Sequence, residues 1–287
     1  MMASTRAELL RLLRWPAVWV LGGLWLALNL IFGYLFTYLS YRSEDGAGFT
    51  EQVADAATSQ TLLAQVLPDQ VPVVLVEGLP MFGGALLLIM GALTIGSGYG
   101  WGSWKTVFTA GPRRLTALTG TLAALGLILV GLMLATLVLD VGASLTVAAV
   151  ESQPVHWPGL LDTVRSVGAG TLIGGMWMAA GVLLGTLVRG PALSVGLGLV
   201  WALVVENLLR GVASLLGPVE AVTDVLPGTA AGSLAGALGG LTEGEVGGTP
   251  GVNTVLGGGV ATALLAGYVL VFILVSGWLT ARRDLAG

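Results

Sequence analysis

The stretch LTALTGTLAALGLILVGLMLATLVL, residues 115–139, decides the fold class because it contains no charged side chain. The hydrocarbon core of a bilayer is about 30 Å thick, and about 20 apolar residues in an α-helix cross it. Arg113 and Arg114 precede the stretch and Asp140 follows it, so charges mark both of its ends. The apolar pattern continues to about Val150, which predicts a helix that tilts or that leaves the bilayer beyond Asp140.

The rest of the chain is also strongly apolar. Hydrophobic residues make up 55% of the 287 residues, charged residues only 10%, and the mean hydropathy is +0.90. These values are typical of a polytopic membrane protein rather than of a soluble globular one. The 45 glycines fit closely packed membrane helices. The absence of cysteine excludes disulfides, thiolate chemistry and cysteine-based metal sites.

Six apolar runs are long enough to cross a bilayer as helices. We place them at about residues 16–39, 79–98, 115–150, 167–188, 192–209 and 259–279. The prediction is an all-α polytopic membrane protein with a single transmembrane domain over residues 1–287. The first run is longer than the apolar core of a signal peptide and has no clear small-residue cleavage site, so we expect it to remain as a helix.

The basic residues divide unequally between the two sides of this arrangement. An even number of spans puts both termini on one side of the membrane. That side holds nine of the twelve basic residues, namely Arg6, Arg11, Arg14, Lys105, Arg113, Arg114, Arg189, Arg282 and Arg283. Cytoplasmic segments are enriched in lysine and arginine, so both termini are predicted to be cytoplasmic in a multi-pass protein of the cell membrane.

Residues 5–15, TRAELLRLLRW, precede the first run and have the spacing of an amphipathic helix. Its apolar face would carry Leu9, Leu12 and Leu13, while Arg11 and Arg14 lie largely on other faces. This pattern predicts a helix that lies in the interface between membrane and water. The alternative is a simple positively charged flank of the first span.

Two longer segments are predicted on the opposite side of the membrane. Residues 40–78 carry several acidic side chains, which we interpret as a solvated face. Residues 211–258 contain two apolar pieces, 212–226 and 230–241, each too short to cross a bilayer. They predict a re-entrant or interfacial helical hairpin before the sixth span. The glycine-rich residues 239–258 are expected to be flexible.

Ionisable residues within or beside the apolar runs tend to mark function. Glu206 is the deepest of them, on the fifth run, and Arg210 follows at the spacing of an intrahelical ion pair. Glu206 either makes a gating or helix-packing contact or is simply neutralised by Arg210. Asp140 lies near the outer end of the third run and is expected to be interfacial, as is Glu77 before the second run.

Catalytic and nucleotide-binding motifs are absent from this sequence. Residues 99–114, YGWGSWKTVFTAGPRR, contain the only lysine, Lys105, but Trp104 stands where a phosphate-binding loop needs glycine. His156 is the only histidine, and neither a serine-hydrolase motif nor clustered metal ligands accompany it. We therefore expect no catalytic activity, no metal and no cofactor on this chain, and no nucleic-acid partner.

Residues 99–114 also carry the most specific resemblance to a known family. Tyr99 to Thr106 and Gly111 to Arg114 resemble the Tyr-x-x-Gly-Thr and Arg-Arg elements between the second and third spans of the ABC-2 family of ABC transporter permeases. The chain has Gly98 where that family commonly has glutamate and Ser103 where it commonly has threonine. The sequence ARRDL at residues 281–285, the six spans, the amphipathic first helix and the hairpin before the sixth span are similar to that family too.

The resemblance implies the membrane subunit of an ATP-driven exporter of hydrophobic or amphipathic molecules. A second permease chain, identical or different, would complete the pathway, and separate ATPase subunits would bind ATP and Mg²⁺. A short cytoplasmic coupling helix would dock on the ATPase. Its residues would be Tyr99, Trp101, Trp104, Lys105, Val107, Phe108, Arg113 and Arg114. These aromatic residues could instead serve only to anchor the segment at the membrane.

A secondary transporter or channel that needs no ATPase is the alternative function. Such proteins often have inverted repeats and helices that are broken near the middle of the membrane. No clear repeat is visible in this sequence, and the carboxylates lie near the ends of the runs. The ATP-driven exporter is therefore the preferred interpretation.

Overall fold

The computed structural model describes residues 2–42, 56–100, 102, 113–213 and 221–282. These residues form helices and the connections between them, and none of them belongs to a β-strand. Six helices are long and apolar enough to cross a membrane. The all-α class and the six candidate membrane helices are therefore confirmed, as expected for a multi-pass membrane protein.

The helices of the described residues follow one another along the chain. They are α1 (Met2–Leu13), α2 (Pro16–Arg42), α3 (Ala56–Gln65), α4 (Pro68–Gly100), α5 (Arg114–Val150), α6 (Leu160–Val188), α7 (Pro191–Val212), α8 (Pro227–Ala237) and α9 (Gly258–Arg282). Three of the long helices contain a π-helical turn. These turns are Ile31–Leu35 in α2, Leu79–Gly83 in α4 and Val200–Val205 in α7.

Two of the long helices begin earlier than the apolar runs predict. Helix α4 starts at Pro68 rather than near residue 79, and α6 starts at Leu160 rather than near residue 167. Proline at the first helical position needs no backbone N–H partner, so Pro68 begins a helix instead of breaking one. The first turns of α6 carry Asp162 and Arg165, whose side chains pair at 3.6 Å and make this helical start look like a polar loop.

Helices α4 and α6 form the centre of the bundle. The buried share of their most apolar windows is 67% and 56%, against 11% to 28% for the other four long helices. Glycines let the two backbones touch, because a Cβ on Gly91 would overlap the carbonyl oxygen of Met178 and one on Gly181 would overlap that of Leu88. Close approach through small residues is how membrane helices gain packing contacts where lipid is as apolar as their side chains.

Helix α8 is a short buried helix between the fifth and sixth long helices. Ala230, Ala231 and Ala235 are fully buried, and α8 packs against α9 and the π-helical turn of α4. The sequence placed this piece at residues 230–241, whereas the helix begins at Pro227, again with proline at its first position. The first arm of the predicted hairpin includes residues 214–220, which lie outside the described residues.

The glycine-rich segment after α8 lies against that helix, although its composition predicted a flexible loop. Asn253 accepts a hydrogen bond from the hydroxyl of Ser233 at 2.5 Å and donates one to the carbonyl of Thr229 at 3.3 Å. Small residues allow this approach, because a Cβ on Gly232 would overlap the carbonyl oxygen of Gly251. One asparagine and the glycines of α8 therefore fix the path of this segment.

Helix α1 precedes the first long helix and packs against α5. Leu12 is fully buried in the main hydrophobic core. The hydroxyl of Ser4 donates a hydrogen bond to the carbonyl of Thr116 at 3.2 Å, which fixes the beginning of α1 beside the first turn of α5. A helix is therefore present where the amphipathic pattern predicts one.

The other residues of the predicted interfacial face lie in different surroundings. Leu9 is partly buried, whereas Leu13 and Arg14 are exposed at the end of α1. Arg11 pairs with Glu8 at 2.8 Å on the same helix. Some apolar residues of α1 therefore pack inside the bundle, and others lie on its surface.

Candidate functional site

Polar residues on three long helices lie beside the π-helical turns. Asn29 precedes the turn of α2, Glu77 precedes the turn of α4, and Glu206 directly follows the turn of α7. Asn29 and Glu206 are buried, and Glu77 is partly buried. A π-helical turn adds a residue to the helix and changes which side chains beyond it face inward, and such turns are frequent at functional sites.

Glu206 joins α7 to the beginning of α8. Its fully buried carboxylate accepts hydrogen bonds from the indole N–H of Trp201 at 2.9 Å and from the backbone N–H of Gly228 at 2.8 Å. Gly228 lies in the first turn of α8, where backbone N–H groups have no partner within the helix. The carboxylate therefore caps α8 and lies at the positive end of its dipole.

Arg210 does not pair with Glu206, although their spacing permits it. The guanidinium of Arg210 donates to the side-chain oxygen of Asn207 at 2.7 Å, and it forms no ion pair with Glu206 within 4.0 Å. The geometry of Glu206 is that of a helix-packing contact. Sequence reasoning missed Gly228 as its partner, although Pro227 before it is typical of a helix start with unpaired N–H groups.

Trp177 of α6 lies between α4 and α8 beside this contact. The side chain is almost completely buried, and a Cβ on Gly84 would overlap its ring, whereas a Cβ on Gly228 would lie 3.7 Å from it. The indole N–H of Trp177 and the hydroxyl of Thr229 have no hydrogen-bond partner among the described residues. The surroundings of Glu206 therefore contain buried polar groups that the helix contacts leave unused.

Helices α2 and α5 are linked by three layers of polar contacts. In the first layer, the indole N–H of Trp25 donates to the hydroxyl of Thr136 at 2.9 Å. In the second layer, about one turn further along both helices, the amide of Asn29 donates to Asp140 at 2.6 Å. From the first layer to the second, the residue number rises by four in both helices. The two helices therefore run in the same direction here.

Asp140 is fully buried inside the bundle. Helix α2 covers the side of α5 on which Asp140 lies, and the interfacial depth of Asp140 in the membrane stays a prediction. One carboxylate oxygen accepts the hydrogen bond from Asn29, and the other has no hydrogen-bond partner in the described part of the chain. The hydroxyl of Tyr34, in the π-helical turn of α2, is also buried without a partner there.

The third layer joins the ends of α2 and α5. Glu151, which follows α5, accepts hydrogen bonds from Tyr38 at 2.6 Å and Tyr41 at 3.1 Å and lies 3.4 Å from the guanidinium of Arg42. These neighbours stabilise the charged carboxylate, so they lower the pKa of Glu151 below its ordinary value, and the hydrogen bond from Tyr38 has the largest effect.

Glu151→Gln is expected to lower the melting temperature of the detergent-solubilised protein at neutral pH. A carboxyl group with a lowered folded-state pKa stabilises the fold above its unfolded pKa of about 4.3, and this contribution is lost as the pH falls through the folded-state pKa. The difference between wild type and variant should therefore shrink below about pH 4, which melting curves recorded at a series of pH values measure. The exposed Glu243, changed to Gln, is the control. A difference that stays constant with pH would contradict this role of Glu151.

Glu77 connects α4 to the segment after α8. Its carboxylate accepts hydrogen bonds from the backbone N–H of Leu241 at 3.3 Å and from the hydroxyl of Thr249 at 3.5 Å. Both distances are long, so this carboxylate is only weakly bonded. Within the described ranges, neither Glu77 nor Asp140 nor Glu206 lies within 4.0 Å of a basic group.

The predicted coupling helix is described only at its two ends. The residues that lie outside the described part are Trp101, Trp104, Lys105, Val107 and Phe108. Tyr99 is in the last turn of α4, and the guanidinium of Arg189, from the turn between α6 and α7, lies 5.8 Å from the centre of its ring. Arg113 is exposed directly before α5, whose first residue is Arg114. Two of the segments that are predicted to be cytoplasmic therefore meet at Tyr99.

The buried polar side chains of this region join helices to one another. No group of three His, Cys, Asp or Glu residues in the described ranges could hold a metal ion. No known family model and no curated protein matches the chain. The six-helix architecture and its buried polar contacts are therefore the observations from which a function is inferred.

Proposed function

We propose that the protein is the membrane subunit of an ATP-driven exporter of the ABC-2 type. The observation that carries the proposal is helix α8, a short buried helix that comes before the last long helix, α9. The carboxylate of Glu206, from the preceding long helix α7, caps it. The ABC-2 family, which residues 99–114 resemble, has a hairpin that dips into the membrane at the corresponding place in the chain. The position of α8 supports this correspondence.

In this proposal both termini and residues 101–112 face the cytoplasm. The division of basic residues supports this orientation in the cell membrane. The contact between Tyr99 and Arg189 is consistent with it, because it brings together two segments assigned to the same side. Helix α1 would lie in the cytoplasmic interface, with Leu13 and Arg14 toward lipid, and α8 with the piece before it would form a hairpin that enters from the outer side.

Two permease chains and two ATPase subunits would form the complete exporter. ATP and Mg²⁺ would bind to the ATPase, and the coupling helix would transmit its closure to α4 and α5, the two helices that residues 101–113 connect. Helix α4 touches α6 backbone to backbone at Gly91 and Gly181, so a displacement of its end would reach the centre of the bundle. The cargo would be a hydrophobic or amphipathic molecule that moves outward.

Reconstitution in nanodiscs with an ABC ATPase co-expressed from a neighbouring gene tests the proposal. The double substitution Trp104→Ala/Lys105→Glu is expected to weaken ATPase binding by about tenfold or more and to abolish stimulation of ATP hydrolysis, because a tryptophan at an interface often contributes about 2 kcal/mol. Trp157→Ala, which removes an exposed tryptophan on the predicted outer side, should change neither. Unchanged binding and stimulation in the double variant would disprove the coupling role, and a wild-type chain that binds no such ATPase would disprove the exporter.

A secondary transporter is the second candidate, because three carboxylates lie in the bundle with no basic group of the described residues within 4.0 Å. Carboxylates in such places form proton and cation pathways in carriers. Proteoliposomes that contain this chain alone distinguish the two functions. A pH gradient would drive uptake of a hydrophobic or amphipathic molecule only if the chain is a carrier. In that case Asp140→Asn would abolish the uptake.

A further inference from the structure

A cavity of about 260 Å³ lies between α2 and α4, beside the π-helical turns of both helices. Its walls come from residues 25–40 of α2, residues 74–82 of α4, Leu62 of α3 and residues 247–250 of the segment after α8. The volume is close to the lower end of the range for small-molecule sites, which is about 300 Å³. Neither the contact of Glu206 with α8 nor the proposed coupling helix contributes to it.

Aromatic rings form much of the cavity wall. Phe32 and Phe82 stack between α2 and α4, with ring centres 5.8 Å apart and an angle of 8° between the ring planes. Phe36 meets Phe32 edge to face at 5.2 Å, and the buried Trp25 also lines the cavity. Phe32 and Phe82 are exposed, so the cavity adjoins the outer surface of the helix bundle through this aromatic pair.

Among the described residues, the cavity contains a carboxyl group, that of Glu77, and no basic side chain within 4.0 Å of it. Glu77 lines it, and the long hydrogen bonds to this carboxylate leave lone pairs for another partner. Asn29 lines it too, and behind Asn29 lies Asp140, whose second oxygen is unpaired in the described part of the chain. No lysine, arginine or histidine of the described residues lines the cavity. A partly buried carboxylate without a basic partner is unfavourable, so the site favours a cation.

The combination of one carboxylate with aromatic rings is suited to an organic cation. A metal ion would need several oxygen ligands, and the described ranges contain no such group of acidic or histidine side chains. Aromatic faces attract ammonium-type cations whose charge lies within about 6 Å of the ring centre. Leu28, Leu62 and Val74 also line the cavity and would contact the apolar part of such a molecule.

We propose that this cavity binds an amphipathic organic cation. Glu77 is its counter-ion, and the rings of Phe32, Phe36 and Phe82 contact its charged group and the apolar part next to it. The exposed aromatic pair is the side from which a molecule dissolved in the membrane reaches the cavity. That this cation is also the exported cargo rests on the proposed function, whereas the binding site itself does not.

Tetraphenylphosphonium and tetraphenylborate are matched probes, because they have the same shape and opposite charge. The purified chain in nanodiscs without an ATPase should bind tetraphenylphosphonium saturably and about tenfold more tightly than tetraphenylborate, after subtraction of binding to empty nanodiscs. Glu77→Gln should weaken tetraphenylphosphonium binding by about tenfold. Asp162→Asn, which removes an exposed acid elsewhere, should leave it unchanged. Equal affinity for both ions, or no effect of Glu77→Gln, would overturn the proposal.

Phe82→Leu is a second variant for the case in which Glu77→Gln does not fold. Its ring is exposed, so its replacement leaves no cavity in the core of the bundle. Loss of one aromatic wall should weaken tetraphenylphosphonium binding by about threefold to tenfold at an unchanged melting temperature. Wild-type affinity in a folded Phe82→Leu variant would remove the aromatic wall from the site and contradict the proposal.

Two further arms identify the source of the cation and separate the two proposals. Displacement of tetraphenylphosphonium by a short-chain phosphatidylcholine would assign the site to a lipid headgroup, and a lack of displacement would assign it to a free amphiphile. If the chain binds tetraphenylphosphonium but does not transport it in the presence of the ATPase and ATP, the result would support the binding site and contradict the exporter. ATP-driven activity in a chain that does not bind the cation would contradict the site alone.

Discussion

Asn29→Leu is expected to lower the melting temperature by about 6–12 °C. Asp140 would then be buried with neither carboxylate oxygen hydrogen-bonded among the described residues, and an unpaired buried group of this kind costs about 3 kcal/mol. For a chain of this size each kcal/mol corresponds to about 2–4 °C. Thermal unfolding of wild type and variant in the same detergent measures the difference.

The double substitution Asn29→Leu/Asp140→Leu is the matched control. It removes both polar partners and leaves apolar groups of similar size, so most of the lost stability should return. Asp140→Leu alone should cost less than Asn29→Leu, because a neutral amide is less costly to bury unpaired than a carboxylate. A double variant as unstable as Asn29→Leu would contradict this explanation. A stable double variant without transport activity would show that the pair serves transport.

Gly228→Ala is expected to detach Glu206 from the beginning of α8. The added Cβ would overlap the carboxylate oxygen that now accepts the hydrogen bond from the Gly228 backbone N–H. Helix α8 would lose its cap and the buried carboxylate one of its two donors, which together cost about 2–4 kcal/mol. The melting temperature and the protease resistance of the segment after α8 measure the effect.

Gly196→Ala is the control for the change from glycine to alanine in a helix. A Cβ there would meet no atom within 4 Å, so the substitution should be neutral or slightly stabilising. Glu206→Ala combined with Gly228→Ala should cost less than the sum of the two single changes, because the overlap disappears with the carboxylate. Strictly additive costs would show that the two residues do not act through this contact.

The six long helices could be predicted from the sequence because each apolar run is long enough to cross a bilayer. The start of α4 could not, because Pro68 and the partly buried Glu77 have the composition of a loop and are placed in a helix by tertiary contacts. The position of α8 could be predicted only within a few residues. A proline can end one helix or begin the next. Which of the two occurs depends on whether other groups accept hydrogen bonds from the unpaired N–H groups that follow the proline.

The candidate site was only partly predictable for a related reason. Glu206 and Asp140 stand out in any apolar run, but their partners are distant, and Asn29 is separated from Asp140 by 111 residues. A single sequence shows on which face of a helix an acid lies and not which helix covers that face. The resemblance placed the coupling helix at residues 99–114, and its central residues stay a prediction.

Helix α5 is longer than a bilayer is thick. At about 1.5 Å per residue its 37 residues extend about 55 Å, and even a tilt of about 40° places only about 40 Å of that length within the hydrocarbon. Helix α5 therefore extends beyond the hydrocarbon, and we expect the layer of Glu151, which lies at the end of the helix, to be in the headgroup region or in solution. The ionic strength and pH of the solution can then change the strength of the contacts that Glu151 makes with the two tyrosines and the arginine. These contacts link α2 and α5 at only one end of the two helices.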